Sequence, residues 1–221
     1  MKRIFYFIII LSFLILATGN YAAAQSYYYQ KNKRYINAPP PVDPMMVLKN
    51  VSRIADSLKP FLESQQECNQ NIIFIANMRI VSGRKRFFVY DYTQNTIIDE
   101  GLVAHGSGSD TVIAGIPQLQ FSNAPASYMT SLGKYIIGKS YMGEYGKSYI
   151  LYGLDETNSN AAERSIVLHA FRSVPDSEQI YPIVESFGCP MVSPAFFSRL
   201  ERLIDESSGK ILLYICYEPF H

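Results

Sequence analysis

The sequence predicts an α+β domain built on a mainly antiparallel sheet or sandwich. Three observations carry that expectation: β-prone runs with short turn-rich connections between residues 72 and 104, an amphipathic helix before them, and a second helix with a final strand after them. Seventeen tyrosines and thirteen phenylalanines with no tryptophan suit β-rich packing, and equally a carbohydrate-facing surface.

The chain opens with Lys2-Arg3, an apolar run over residues 4–17, and Ala22-Ala23-Ala24 before Gln25. Charged, apolar and small-residue parts in that order are those of a secretory signal peptide, with cleavage expected after Ala24. The alternative is an uncleaved anchor, but the run is shorter than the roughly 20 residues that span a bilayer, so no stable membrane span is expected after cleavage. Residues 25–42 end in Pro39-Pro40-Pro41 and read as a poorly ordered linker.

Residues 43–71 read as a helix and a connection. Asp43-Pro44 is a helix start, Val47, Val51, Ile54 and Leu58 form an apolar stripe, and Pro60 is the expected stop. The main domain is expected over residues 72–221. Its strands lie at 72–80, 86–92 and 96–104, followed by the polar loop His105-Gly106-Ser107-Gly108-Ser109. Residues 111–145, rich in Gly, Ser, Pro and Tyr, read as an irregular wall of the substrate cleft. Further strands are expected at 148–153, 165–169 and 210–217. Ser193-Pro194 starts a helix carrying Phe196, Leu200, Leu203 and Ile204 and ending near Gly209.

Residues 1–24 hold Lys2 and Arg3 and no acid, so the rest carries 18 basic against 19 acidic residues. A balanced surface points to neither nucleic acid nor an anionic membrane face.

The chemistry centres on Ser186-Phe187-Gly188-Cys189-Pro190, read with Ser165-Ile166-Val167-Leu168-His169 twenty residues upstream. A β-prone run fixes an imidazole at its end, and a Gly-Cys-Pro turn ahead of a helix presents a thiol. Cys189 is the expected nucleophile and His169 its general acid and base. Gly188 can take backbone angles closed to other residues, which would aim the Gly188 and Cys189 N–H groups at an oxyanion. The bland alternative is a small buried hydrophobe beside a satisfied polar residue.

His169-Ala170 followed by Ser186-Phe187-Gly188-Cys189 resembles the signature of YkuD-like L,D-transpeptidases. The set Phe121-Ser122-Asn123, Ser127, Ser131-Leu132-Gly133-Lys134-Tyr135, Tyr141-Met142-Gly143, Gly146-Lys147-Ser148, Gly153-Leu154, Asn160-Ala161 and Gly188-Cys189-Pro190 resembles the murein L,D-transpeptidase catalytic-domain subgroup, over residues 72–217. The resemblance implies an exported enzyme of the periplasm or cell envelope. It would cleave peptidoglycan tetrapeptide stems before the terminal D-alanine and join third-position residues, or hydrolyse. Carbapenem-type inhibitors are expected to acylate Cys189, and no metal or organic cofactor is implied. The resemblance makes the Ala170 carbonyl the group that orients His169, and Asn123 and Ser127 substrate contacts. Ser186 and His105 are expected to line the site, His105 otherwise having a structural role. Met191 stands where arginine is common in the broader family, so Arg164 or Arg172 would take over that role; Glu185 also departs from the branch pattern.

A sortase is the other exported Cys/His transpeptidase, but its Thr-Leu-x-Thr-Cys segment is absent. Papain-like and cell-wall Cys hydrolases place cysteine before histidine, the reverse of the order here. A non-catalytic murein-binding domain of the same fold is the alternative from another class. Cys68, Cys189 and Cys216 make an odd count, so at least one thiol stays free or pairs between molecules; a Cys68–Cys216 disulfide is open.

Overall fold

Asp43 caps the first helix as its sequence demands. In the computed structural model, which describes residues 43–113, 116–180 and 182–219, α1 runs Pro44–Ser64 and the Asp43 carboxylate accepts the Met45 N–H at 2.9 Å. That takes up one of the amides a helix start leaves without a partner. The expected signal peptide and linker, residues 1–42, lie outside the described residues. Helix α1 does not stop at Pro60 but continues to Ser64. A proline inside a helix costs about 3 kcal/mol, yet Leu62, 1% exposed, extends the stripe of Val51, Ile54 and Leu58. Burying a leucine returns about 1.5–3 kcal/mol.

The meander is β1 (Cys68–Asn77), β2 (Phe87–Asp91) and β3 (Thr96–Gly101), joined antiparallel. Cys68 therefore opens β1, within the part of residues 43–71 read as a connection. After β3 the chain forms a hairpin, β4 (Asp110–Ile113) with β5 (Ile116–Leu119). Then come β6 (Gly133–Gly143), β7 (Gly146–Gly153), β8 (Val167–Ala170), β9 (Met191–Val192), α2 (Pro194–Asp205) and β10 (Lys210–Cys216). The main sheet is ordered β3-β2-β1-β10-β6-β7-β8-β9, with only β1/β10 and β8/β9 parallel. It is an open mixed sheet, mainly antiparallel as expected.

Residues 111–145 are thus more regular than expected. They hold the β4–β5 hairpin, apart from Asp110, and all of β6, the longest strand among the described residues at 11 residues. Half of β6 is buried through Tyr135, Ile136 and Ile137, while Tyr141 and Met142 run out exposed into a hairpin with β7. The stretch from Gln120 to Leu132 is the part without strands.

Strand alternation divides the core between the two helices. Ile73, Ile75, Phe88, Tyr90 and Leu212 pack with the buried stripe of α1. Their neighbours Phe74, Ala76, Phe87, Val89 and Leu213 pack with Phe196, Phe197 and Leu200 of α2. Each face of the sheet carries one helix. Ser193 caps α2 by accepting the Phe196 N–H and donating to the Asp176 carboxylate. The helix that follows Cys189 is therefore fixed at its first turn.

The three cysteines are free. Cys68 lies opposite Lys210, and Cys216 opposite Asn77, in the β1/β10 ladder. Six residues along a strand span about 20 Å, beyond the reach of a disulfide. Among the described residues no helix is long and apolar enough to cross a membrane.

Candidate active site

Strand β8 lies between β7 and β9, with His169 opposite Ser148 on one side and Met191 on the other. His169 is 3% exposed. Its Nδ1 is 3.0 Å from the Ala170 carbonyl oxygen, which can only accept, so Nδ1 carries the proton and Nε2 keeps its lone pair. The Tyr145 ring, from the β6–β7 turn, stacks on the imidazole with centroids 4.9 Å apart. Burial lowers the His169 pKa and the Ala170 carbonyl opposes it, the weaker of the two effects. The imidazole is neutral at pH 7.

The parallel register that sets Met191 beside His169 brings Cys189, two residues earlier, beside Val167. The Val167 N–H reaches Sγ at 3.5 Å, and Sγ lies 3.6 Å from the Ser165 carbonyl oxygen. Burial pushes the Cys189 thiol up, while the Val167 N–H and the Arg164 charge pull it down. Cys189 and His169 are thus held on one strand edge, two residues of β8 apart, as a neutral thiol and a neutral imidazole.

Strained backbone gathers around the sulfur. Gly188 has φ +118, and a Cβ there would meet the Met129 carbonyl at 2.9 Å and Ile166 Cδ1 at 3.1 Å, so only glycine fits. Ser165, Ala126 and Tyr128 also have positive φ, at 56, 55 and 55. Non-glycine residues held there cost about 1–3 kcal/mol each and concentrate at functional sites.

The remaining expected residues have specific places. Ser186 is buried, and its Oγ accepts the Gly188 N–H at 3.0 Å. That bond closes the turn and engages the Gly188 amide expected to face an oxyanion. Asn123 donates to the Glu156 carbonyl and Ser159 Oγ and accepts from the Asn160 N–H. Ser127 Oγ lies 3.3 Å from both the Met129 N–H and Arg164 Nη2. Both residues pin the loop beside the turn. His105 does not line the cleft: it is 5% exposed, with Nδ1 2.9 Å from Arg86 Nη2 and Nε2 2.9 Å from Asp110 Oδ1.

Of the two arginines considered in place of one at Met191, Arg164 reaches the turn. Its Nη2 lies 3.3 Å from the position a Cβ on Gly188 would take, and it donates to the Ser122 and Met129 carbonyls. Arg172 is exposed. Sequence reasoning missed Tyr145, whose partner is 24 residues away, and Arg86. The signal for Arg86 was a charge leading into the apolar run Phe87-Phe88-Val89.

Among the described residues one cluster has metal-ligand chemistry: ligand atoms of His105, Asp110 and Glu185 lie within 4.8 Å of one another. A guanidinium can only donate, so Arg86 makes His105 Nδ1 an acceptor and puts the ring proton on Nε2, toward Asp110. A cation would need that Nε2 lone pair and would sit beside a buried guanidinium. The donor set does not fit one.

The sequence pattern described as the L,D-transpeptidase catalytic domain matches residues 47–215. No curated protein sequence matches the chain. Solved structures similar to it include an L,D-transpeptidase from Xylanimonas cellulosilytica, at 14% identity and a TM-score of 0.36, covering 68% of this chain and 62% of that one. Another is LdtMt1 in complex with imipenem, at 11% identity and 0.37, covering 66% and 58%. A third is the helical cell shape determining protein Pgp2 from Campylobacter jejuni, at 12% identity and 0.43, covering 72% and 55%. The chain thus spans less than two thirds of those proteins' length, and the family assignment rests on the sequence pattern alone.

Proposed function

The chain belongs to the L,D-transpeptidase catalytic-domain family, and on that premise we propose that it is an exported cysteine acyl-transferase of the bacterial cell envelope, acting on peptidoglycan tetrapeptide stems. The observation that carries the reading is the Cys189 thiol held against the β8 backbone that also bears His169, an imidazole whose tautomer is fixed by the Ala170 carbonyl.

His169 Nε2 takes the thiol proton as Sγ attacks the carbonyl between the third stem residue and the terminal D-alanine. Burial holds the thiol up and the imidazole down, which favours the neutral pair until His169 takes the proton for the attack. The oxyanion is met by the Cys189 N–H. Collapse breaks the C–N bond, His169 returns the proton to the leaving amine, D-alanine departs and a thioester remains. A side-chain amine of a second stem then attacks the thioester, loses its proton to His169 and forms the cross-link, restoring the thiol. Water in that position makes the enzyme an L,D-carboxypeptidase. A carbapenem, whose lactam carbonyl substitutes for the peptide, acylates Cys189.

Intact-mass spectrometry of residues 25–221 with disaccharide-tetrapeptide, beside Cys189→Ala, tests this. The expected result is release of D-alanine with a thioester adduct or dimeric muropeptide, absent from the variant. No release and no adduct from folded, reduced protein would overturn the enzyme reading in favour of a murein-binding module.

A further inference from the structure

The segment after β3 runs along both ends of the turn that presents Cys189. Upstream of the cysteine, the Ser186 N–H donates to the His105 carbonyl at 2.9 Å and the Ser107 N–H to the Ser186 carbonyl at 2.7 Å. Downstream of it, the Ala104 N–H donates to the Met191 carbonyl at 2.8 Å, and Val103 bridges Val192 antiparallel. Within the upstream attachment Gly106 bridges Ser186 and packs against Gly188. A Cβ on Gly106 would fall 2.1 Å from the Tyr128 carbonyl and 3.0 Å from Gly188 Cα and N. The nucleophile turn is an arc with both feet on five consecutive residues.

Those five residues are held by side chains from other elements. Arg86, 0% exposed at the entry to β2, donates through Nε and Nη2 to the Val103 carbonyl at 2.9 and 2.8 Å, and through Nη1 to the Ile80 carbonyl at 3.0 Å. The same guanidinium donates to His105 Nδ1, and His105 Nε2 donates to Asp110 at the start of β4. Glu185, the residue before Ser186, brings its carboxylate within 4.8 Å of the imidazole and of Asp110. Thr130 Oγ1 takes the Gly106 N–H at 2.9 Å. A neutral imidazole that accepts on one side and donates on the other cannot rotate without breaking a charge-assisted bond. Such groups fix geometry when each member has its partner.

We propose that residues 103–107 form a splint for the nucleophile turn, and that His105, braced between Arg86 and Asp110, is a positioning residue for acyl transfer at Cys189. The proposal rests on Cys189 being the nucleophile. His105 touches neither the thiol nor substrate; it acts by fixing where the turn stands relative to β8, where Val167 and His169 meet the sulfur. A misplacement of an ångström is enough to cost a reacting pair a large part of its rate.

The test compares His105→Leu, His105→Gln, Asp110→Ala and Asp110→Asn with the unaltered full chain. Tm, kcat and KM on disaccharide-tetrapeptide are measured, together with the rate at which iodoacetamide alkylates Cys189, read by peptide mass. Leucine fills the space with neither hydrogen bond. The glutamine amide can accept from Arg86 and donate to Asp110 at once. Expected are a fall in kcat of about 10–100-fold for folded His105→Leu and Asp110→Ala with KM little changed, alkylation slowed by at least about threefold, and recovery of most of the rate in His105→Gln. The Asp110 side chain is 32% exposed, so its variants decide the matter if His105→Leu does not fold. If folded Asp110→Ala or His105→Leu matches the unaltered chain within twofold in both kcat and alkylation, the splint is refuted. If the unaltered chain does not turn over the tetrapeptide, the functional reading fails, and alkylation alone still decides the positioning.

Discussion

Two buried histidines lie on segments that touch the Cys189 turn, and they differ in how many ring nitrogens have a partner. His169 gives Nδ1 to its neighbour's carbonyl, on the strand whose Val167 N–H reaches the sulfur. His105 has both nitrogens engaged, one by a guanidinium and one by a carboxylate. Their exposures, 3% and 5%, do not distinguish them. A histidine with one nitrogen engaged can still exchange a proton through the other, and one with both engaged can only hold its neighbours. Partners therefore say more about a histidine's role than burial does.

Four changes would break or sharpen that contrast. The largest effect is expected at His169: His169→Ala should lower kcat/KM by about 10²–10⁴-fold with the protein still folded. Activity near that of the unaltered chain would remove the distinction. Next is Gly188→Ala, which puts a side chain at φ +118 and against the Met129 carbonyl. A stability loss of about 1–3 kcal/mol in denaturant unfolding, with slower carbapenem acylation, is expected; an unchanged midpoint would mean the turn relaxes freely. Tyr145→Ala removes the ring stacked on His169 and should cost about 0.5–1.5 kcal/mol, a several-fold fall in kcat measured at pH 7. The smallest effect is in the pH profile. Burial holds the His169 imidazolium down, so the acid limb of kcat/KM should lie below the ordinary value near 6.5. The same shift makes a stability contribution that is whole above about pH 6.5 and is lost as pH falls through the lower folded value. An acid limb above 6.5 would contradict the assigned environment.

The features legible in the sequence are those with local causes. Asp43-Pro44 and Ser193-Pro194 cap their helices as residues of that type must, and the strand bearing His169 and the turn at Gly188 follow from their own residues. Features decided by distant partners were not legible. Leu62 carries α1 past Pro60 because the sheet covers it. The outer half of β6 lacks an alternating pattern because Lys139, Ser140, Tyr141 and Met142 project beyond the core. Strand β10 enters the middle of the sheet by pairing with β1 about 140 residues earlier. His105 was the hardest to read, since its brace joins Arg86, nineteen residues before it, to Asp110, five after.

The sealed sulfurs of β1 and β10 have a use beyond packing. Cys68 and Cys216 are 4% and 2% exposed, and burial pushes the Cys216 thiol up to about 12. A brief pulse of a thiol-blocking reagent should therefore mark the native chain once, at Cys189, and an opened chain three times. Because the two silent thiols sit at opposite ends of one ladder, partial opening from either end adds a single, identifiable mark. The protein carries a built-in gauge of which end of its sheet frays first.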